Sequence, residues 1–276
     1  MENKIKTRPV KRINISKEKL HALYYKENLS YSEIAKKYNC SASVIFDKMK
    51  KHGLLPRTNS EATTTYIKTD FSGDLTEKAY LIGFRLGDLN VFRQYLLVNV
   101  KSNTTKIEQV SLINDLFIRY GRVRIKEYNK GVFNIQILLN DTFSFLLPKK
   151  DSIDRWILDN DNFFMAFLAG YTDAEGNIGV YCGRARIRIG SYDKNLLGLA
   201  HKRLLKLGVH NIYHLETVAG KNRQNQDFWR ISINKKEDVL RFIVLVKPYL
   251  KHKKRCKDLK IAEDNVISRI KEIKDD

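Results

Sequence analysis

Two acidic residues are candidates for chemistry because each lies at the end of an apolar, small-residue segment in a strongly basic chain. Glu175 lies in FLAGYTDAEG at 167–176, and Asp88 ends the related stretch LIGFRLGD at 81–88. Two carboxylates together among lysines and arginines would repel phosphate unless they held divalent cations. Carboxylate oxygens suit Mg²⁺, and a metal-activated water can attack a phosphodiester. The pair therefore predicts a metal site for phosphoester hydrolysis; the alternative is a purely structural role in caps or salt bridges.

The small residues in these segments predict how the two acids meet. Gly83 and Gly87 are four positions apart in the first segment, as are Gly170 and Ala174 in the second. Residues four apart share one face of a helix, so each helix would carry a strip with almost no side chain. Two such helices packed in parallel would bring both acids out at the same end. We include Gly87 and Ala174, which directly precede the acids, among the predicted metal ligands.

The acid-tipped helices open two copies of one structural plan, and the acids are 175 − 88 = 87 positions apart. The pattern of the first copy predicts a helix at about 74–88, a strand region at 91–101, a helix at 104–120, strands at 122–128 and 132–139, and a helix near 141–147. The second copy repeats this order at about 161–175, 178–190, 193–207, 211–218, 227–233 and 235–247. The predicted fold class is α+β with an internal duplication.

Basic and apolar residues alternate along several of these strands. In GRARIRIG at 183–190, the arginines would face one side of a sheet and Ala185, Ile187 and Ile189 the other. Arg, Asn and Gln can bind guanine or adenine edges bidentately, which favours a DNA-binding face over a merely solvated one. The candidate DNA-binding residues of the strands are Asn99, Lys101, Arg122, Arg124, Lys126, Asn134, Gln136, Arg184, Arg186, Arg188, Arg230 and Ser232.

The composition agrees with a nucleic-acid partner. The 276 residues include 51 Lys and Arg against 31 Asp and Glu, a formal net charge of +20. Such a surplus in a compact protein favours a polyanionic partner; the alternative is a generally basic, soluble surface. No apolar run approaches the roughly 18 residues of a membrane span, so we expect a soluble, intracellular protein without a membrane partner. The cysteines and histidines show no metal-ligand spacing.

The first part of the chain, residues 1–57, predicts a separate unit of three short helices. Ser30 and Glu33 form a capping-box pattern, and YSEIAKKYNCSASVIFDKMKKHGL resembles a helix-turn-helix of the homeodomain-like or resolvase-like kind. In such a unit the third helix lies in the major groove, which would place Ser43, Asp47 and Lys50 against DNA. An ordinary helical cap is the alternative. A polar linker at 58–69 would lead to the first repeat at 70–152 and the second at 153–276.

At the two acidic segments the chain resembles the LAGLIDADG homing endonucleases. Residues 168–176, LAGYTDAEG, match that motif closely with Glu175 in the position of its catalytic acid. Residues 81–88 match it more loosely: Leu86 stands where Asp is usual and Leu89 replaces the final Gly, but Asp88 is retained. The resemblance implies a monomeric, pseudo-twofold αββαββα fold whose sheets form a DNA-binding β-saddle. It also implies that Mg²⁺ supports cutting of both strands with short 3′ overhangs.

The resemblance carries further expectations about residues and ligands. Lys253 would be the basic residue near the metals for the second half, and Lys150, or Lys149, for the first; each is alternatively a phosphate-contacting or solvated lysine. Mn²⁺ is expected to substitute for Mg²⁺, and Ca²⁺ to bind without cleavage. The expected partner is a double-stranded DNA target site. Intron RNA is a second candidate partner, because a maturase or a transcription regulator without cleavage activity could use the same fold.

Overall fold

The structure, a computed structural model, describes residues 13–27, 29–57, 68–221 and 225–275. It divides the chain into two compact units, Met1–Ile67 and Lys68–Asp276. Most of the predicted linker at 58–69 falls outside the described residues. Within the described residues, no helix is long and apolar enough to cross a membrane.

The smaller unit contains the three predicted helical segments. They are α1 (Lys17–His21), continued by a π-helical turn (Ala22–Lys26), α2 (Tyr31–Lys37) and α3 (Ala42–Lys51). The capping box at the start of α2 is confirmed, because the Ser30 backbone N–H donates to Glu33 Oε2 at 2.8 Å and the Glu33 N–H donates to Ser30 Oγ at 3.2 Å. Asn39 takes the left-handed conformation (φ 48°) in the turn between α2 and α3. The use of the smaller unit as a DNA-binding helix-turn-helix stays a prediction.

The larger unit repeats one order of elements twice, which confirms the predicted α+β duplication. The first repeat comprises α4 (Leu75–Asp88), β1 (Asn90–Gln94), β2 (Leu97–Thr104), α5 (Ile107–Phe117), β3 (Val123–Asn129), β4 (Val132–Leu139) and a 3₁₀ helix (Asp141–Leu146). After α6 (Arg155–Leu158), the second comprises α7 (Asp161–Glu175), β5 (Gly176–Tyr181), β6 (Arg184–Ser191), α8 (Lys194–Lys206), β7 (Ile212–Thr217), β8 (Phe228–Ile233) and α9 (Lys236–Val246). Each repeat forms one antiparallel sheet, ordered β1-β2-β4-β3 and β5-β6-β8-β7.

Three sequence predictions needed correction. The strand regions at 91–101 and 178–190 are each a hairpin of two strands, turning at Tyr95 (φ 54°) and at Cys182 and Gly183 (φ 50° and 72°). The segment 141–147 is a 3₁₀ turn rather than a regular helix, and the helix expected at 104–120 spans only Ile107–Phe117. The sequence analysis also missed α6 and a long C-terminal helix, α10 (Lys253–Asp275).

The helices α4 and α7 pack against each other at glycines, as their small-residue strips predict. A Cβ at Gly83 would overlap the carbonyl oxygen of Phe167, and a Cβ at Gly170 would overlap that of Tyr80. The two contacts are reciprocal, which reflects the pseudo-twofold relation of the repeats. Fully buried aromatic rings, including Phe84 and Tyr171, fill the core around this crossing.

Helix α10 is attached to the second sheet by a side chain that binds the β5–β6 turn. Asn265 Oδ1 accepts the backbone N–H of Ala185 at 2.9 Å, and Asn265 Nδ2 donates to the carbonyl of Gly183 at 3.2 Å. Its apolar residues Leu259, Ala262 and Val266 are buried at helical spacing. This attachment holds α10 against the second sheet, and residues at the beginning of α10 contribute to the candidate site.

Candidate active site

The two acids singled out in the sequence lie together at the adjoining ends of α4 and α7. A Cβ built at Gly87 would lie 2.5 Å from Ala174 Cβ and 2.9 Å from Glu175 Cγ, so only a glycine fits beside the second acid. Asp88 is half-buried and Glu175 is exposed. Each acid lies just before the first strand of its own sheet. Strand β1 starts at Asn90, and strand β5 starts at Gly176. The predicted juxtaposition of the acids is therefore present.

The electrostatics of the two acids agree with their proximity. Burial raises the pKa of Asp88, while a hydrogen bond from Gln109 and the charges of Lys106 and Arg255 oppose that rise. Desolvation at the helix junction raises the pKa of Glu175, and the neighbouring negative charge of Asp88 raises it further. A carboxylate whose ionisation is opposed by burial and by a neighbouring carboxylate is one that a bound cation would stabilise.

Gln109 is a site residue that the sequence analysis missed. Its Nε2 donates to Asp88 Oδ2 at 2.6 Å from the first turn of α5. The Gln109 side chain is buried, so it holds the carboxylate in one orientation. The signal in the sequence was weak, because a glutamine near the start of a helix has no spacing that links it to an acid 21 positions earlier.

Asp173 is a second residue whose role was not foreseen. Its Oδ2 accepts hydrogen bonds from Tyr80 O–H at 2.7 Å and from the backbone N–H groups of Lys251 and His252 at 2.8 and 3.1 Å. Burial raises the pKa of Asp173 to about 6, and among the described residues its buried Oδ1 has no hydrogen-bond partner. Asp173 thus ties the segment before α10 to the helix pair. The first repeat has Leu86 at the equivalent position of its motif.

A pocket with a cationic lining opens at this junction. Its lining residues are Asp88, Lys106, Gln109, Asp173, Ala174, Asn177, His252, Lys254 and Arg255. Within the described parts of the chain, no cluster of three or more His, Cys, Asp or Glu side chains is arranged to hold a metal ion. The donor set is instead two carboxylates on adjoining helices, which suits Mg²⁺ because that ion keeps several waters and needs only one or two protein carboxylates.

The predicted basic residues have different surroundings. Lys150 is exposed, lies 3.9 Å from Asp154 and lines a separate groove, whereas the charge of Lys149 lowers the pKa of Glu175. The charge of Lys149, rather than that of Lys150, therefore acts on Glu175. Lys253 is the exposed first residue of α10. Of that segment, Arg255 is the residue whose positive charge reaches both acids.

The candidate DNA-binding residues of the first repeat share one face of its sheet. The register aligns Lys101 with Gln136 and Gln136 with Arg124, and it aligns Asn134 with Lys126. Opposed residues in antiparallel strands project to the same side. Asn99 lies on this face but is only 1% exposed, because Gln94 and Gln136 hydrogen-bond to it. It is placed to orient its neighbours rather than to contact DNA itself. Arg122 directly precedes β3 and is exposed.

The second repeat presents the predicted arginine-rich face. Arg184 is exposed, and Arg186 and Arg188 are half-buried, while Ala185, Ile187 and Ile189 are buried on the other side. Ser232 lies opposite Arg188 and is 8% exposed, which leaves it little contact with a ligand. Arg230 forms an ion pair with Glu216 on the neighbouring strand.

In the smaller unit, three candidate residues lie on one side of α3. Ser43, Asp47 and Lys50 are all exposed, and their spacing of four and three positions puts them on a common face. Ile45 and Met49 are buried on the opposite side. The three residues are therefore accessible together, as a recognition helix would require.

Comparison with known proteins relates this geometry to a family. Residues 162–246, which run from the start of α7 to the end of α9, match the LAGLIDADG-like domain family. The chain is 25% identical to the uncharacterized protein MJ0398 of Methanocaldococcus jannaschii over 247 residues, which cover 83% of this chain and 87% of that protein. The matched family segment contains Glu175, the second of the two acids.

Solved structures that are similar to this chain include two homing endonucleases. One is the homing endonuclease I-DmoI in complex with DNA and Ca, at 18% identity and a TM-score of 0.48, covering 67% of this chain and 97% of that one. The other is the homing endonuclease I-WcaI bound to its DNA recognition sequence, at 15% identity and a TM-score of 0.48, covering 76% of this chain and 97% of that one.

Proposed function

We propose that this protein is a site-specific DNA endonuclease that cuts both strands of a long, asymmetric duplex target and leaves short 3′ overhangs. The observation that carries the proposal is the pair of carboxylates, Asp88 and Glu175, at adjoining helix ends that each lead into a sheet with a cationic face. Such acids would repel the phosphates of DNA unless they bound divalent cations.

The metal site would consist of the two carboxylates with the backbone carbonyls of Gly87 and Ala174 beside them. A bound Mg²⁺ would supply an activated water and stabilise the leaving oxygen. Gln109 would keep the Asp88 carboxylate in its binding orientation through their 2.6 Å hydrogen bond. We expect Mn²⁺ to replace Mg²⁺, and Ca²⁺ to support binding without cleavage.

Basic residues around the acids would bind the scissile phosphates. Arg255 and Lys106 line the same pocket as Asp88, and their charges would offset the negative charge that develops during hydrolysis. For the lysines, we keep Lys253 for the second half, and we favour Lys149 over Lys150 for the first because the charge of Lys149 reaches Glu175. The helix-turn-helix unit would extend the contact with DNA, and the chain would act as a monomer.

A nucleic-acid-binding protein without cleavage activity is the second candidate. An intron RNA maturase or a transcription regulator built on this plan would need the cationic sheets but not the acids. The observation that favours it is the altered first motif, in which Leu86 and Leu89 replace an acid and a glycine. The retention of both Asp88 and Glu175 favours the enzyme.

The first experiment selects duplexes from a randomised library with the full chain in Ca²⁺ and then transfers the selected duplexes to Mg²⁺. The proposal predicts that bound DNA stays intact in Ca²⁺ and is cut at one fixed position in Mg²⁺. Specific binding with intact DNA in both metals would instead support the binding protein, and intron RNA would then be the competitor to test.

A further inference from the structure

The two sheets carry different hydrogen-bonding groups on the faces that hold the candidate DNA-binding residues. The first sheet presents exposed or half-buried amides, from Asn90, Gln94, Asn103, Asn134 and Gln136, beside the cations Lys101, Arg124 and Lys126. The second presents guanidinium groups, from Arg184, Arg186, Arg188 and Arg230, with Asn177 as the amide that its strand register aligns with Arg188. The repeats therefore match in backbone but not in the chemistry of these faces.

Amides of the first sheet are held in position by one another. Asn134 Nδ2 donates to Asn103 Oδ1 at 2.6 Å, and Asn99 Nδ2 donates to Gln94 Oε1 at 2.5 Å. Gln136 Nε2 lies 3.4 Å from Asn99 Oδ1. Each of Asn134 and Gln136 uses one N–H in these contacts, which leaves its second N–H and its carbonyl oxygen for a ligand. Pre-oriented side chains lose less entropy when they bind.

Contacts also orient arginines of the second sheet. The Arg188 guanidinium lies over the Tyr181 ring at 5.0 Å, and Tyr181 O–H donates to Asn177 Oδ1 at 2.5 Å. Arg230 is held by Glu216. This sheet therefore offers pre-positioned hydrogen-bond donors, and the amide nearest to them, Asn177, already accepts a hydrogen bond from the protein.

These groups match different bases. An amide has a donor and an acceptor side by side, which fits N7 and the N6 amino group of adenine, whereas a guanidinium has only donors, which fit O6 and N7 of guanine. We infer that the two sheets read half-sites of different composition: the first sheet, through its amides, reads the half richer in A·T, and the second, through its arginines, reads the half richer in G·C. The inference rests on the proposed DNA binding and names the class of target.

The test is in vitro selection of randomised duplexes by the full chain in Ca²⁺, followed by sequencing. The expected result is one enriched motif with an A·T-rich half and a G·C-rich half. Arg186→Gln should change the preferred base from guanine to adenine in the G·C-rich half only, with about a tenfold change in relative affinity. Gln136→Arg should make the opposite change in the other half. Arg155→Gln, at an exposed arginine of α6 that pairs with Asp159, is the control and should leave the motif unchanged.

The possible failures are distinguishable. A selected motif with equal composition in both halves would overturn the inference, as would an Arg186→Gln variant that binds every sequence more weakly by the same factor. The second result would mean that the arginine contacts phosphate only. Absence of any shared motif would contradict sequence-specific binding itself. A shared asymmetric motif without cutting in Mg²⁺ would uphold the inference and contradict only the nuclease activity.

Discussion

At the scale of single residues, the centre of the molecule depends on a carboxylate that does not belong to the predicted metal pair. Asp173 is 1% exposed and accepts hydrogen bonds from Tyr80 and two backbone N–H groups through one oxygen, while its second oxygen has no partner in the part of the chain that the structure describes. The sequence analysis could single out Asp88 and Glu175 because acids at the ends of apolar helices are conspicuous. It could not assign Asp173, since its partners at 251 and 252 are far away in the chain.

Asp173 should make stability depend on pH in a direction unusual for an aspartate. Its pKa in the folded protein is raised to about 6, above the ordinary 3.8, so the folded state binds the proton more tightly. The contribution of this protonation to the free energy of unfolding is therefore fully present below about pH 4. It is lost as the pH rises through 6, and the loss is at most about 3 kcal/mol. The measurement is the free energy of unfolding by urea in EDTA, at about pH 4 and pH 7.

Asp173→Asn is the matched variant, because it keeps the size of the side chain and removes its titration. The free energy of unfolding of the wild type should fall relative to that of the variant as the pH rises. Other groups titrate in both proteins, so their contributions cancel in the difference. A difference that stays constant between the two pH values would contradict the raised pKa.

At the scale of the elements, the contact between α4 and α7 positions the acids. Gly170→Ala should destabilise the protein by about 3 kcal/mol or more. The reason is that the added Cβ would overlap the backbone carbonyl of Tyr80, and neither helix backbone can shift at little energetic cost. The measurement is the free energy of unfolding, together with cleavage of the selected duplex.

Gly198→Ala is the control for this substitution. Gly198 lies inside α8, where a Cβ would be 3.7 Å from the Tyr213 ring, an ordinary contact. Alanine is the better helix former by about 1 kcal/mol, so this variant should be as stable as the wild type or more stable. Equal stability of the two alanine variants would show that the helices do not meet at Gly170.

Elements with strong periodicity were predictable from the sequence, and the others were not. The helices expected at 74–88 and 161–175 are found at Leu75–Asp88 and Asp161–Glu175, with side-chain caps from Asp74 and Asn160. The hairpins were read as single strand regions because Tyr95 and Cys182 give no turn signal and the lone Gly183 is a weak one. Helix α10 was missed because its buried stripe is narrow and its remaining surface is charged; the fold around it, rather than its own pattern, stabilises it.

At the scale of the whole molecule, the two units should contribute differently to DNA binding and cutting. Lys50→Ala, on the exposed face of α3, should weaken binding by about 3- to 10-fold, on the order of one lost contact, without moving the cut. The reason is that both acids belong to the other unit. Lys19→Ala, at an exposed lysine of α1, is the control. A shifted cut site, or equal losses in both variants, would argue against a recognition helix.

The charge of the whole chain predicts a strong dependence of binding on salt. With a formal net charge of +20 and cations on both sheet faces, the protein should neutralise several phosphates. The logarithm of the association constant should then fall with that of the salt concentration, by about 0.9 for each phosphate contact. Titration of a labelled duplex at several KCl concentrations measures this slope. A slope near zero would contradict an electrostatic interface.

The most direct test of the central claim is cleavage of a plasmid that carries the selected site, in Mg²⁺, by the wild type and by Asp88→Asn and Glu175→Gln. Asp159→Asn, at an exposed acid that follows α6, is the control. The account predicts a linear product from the wild type and the control, and intact plasmid from the two site variants, all with similar binding in Ca²⁺. Undiminished linearisation by either site variant would contradict the assignment of these carboxylates as the metal-holding pair.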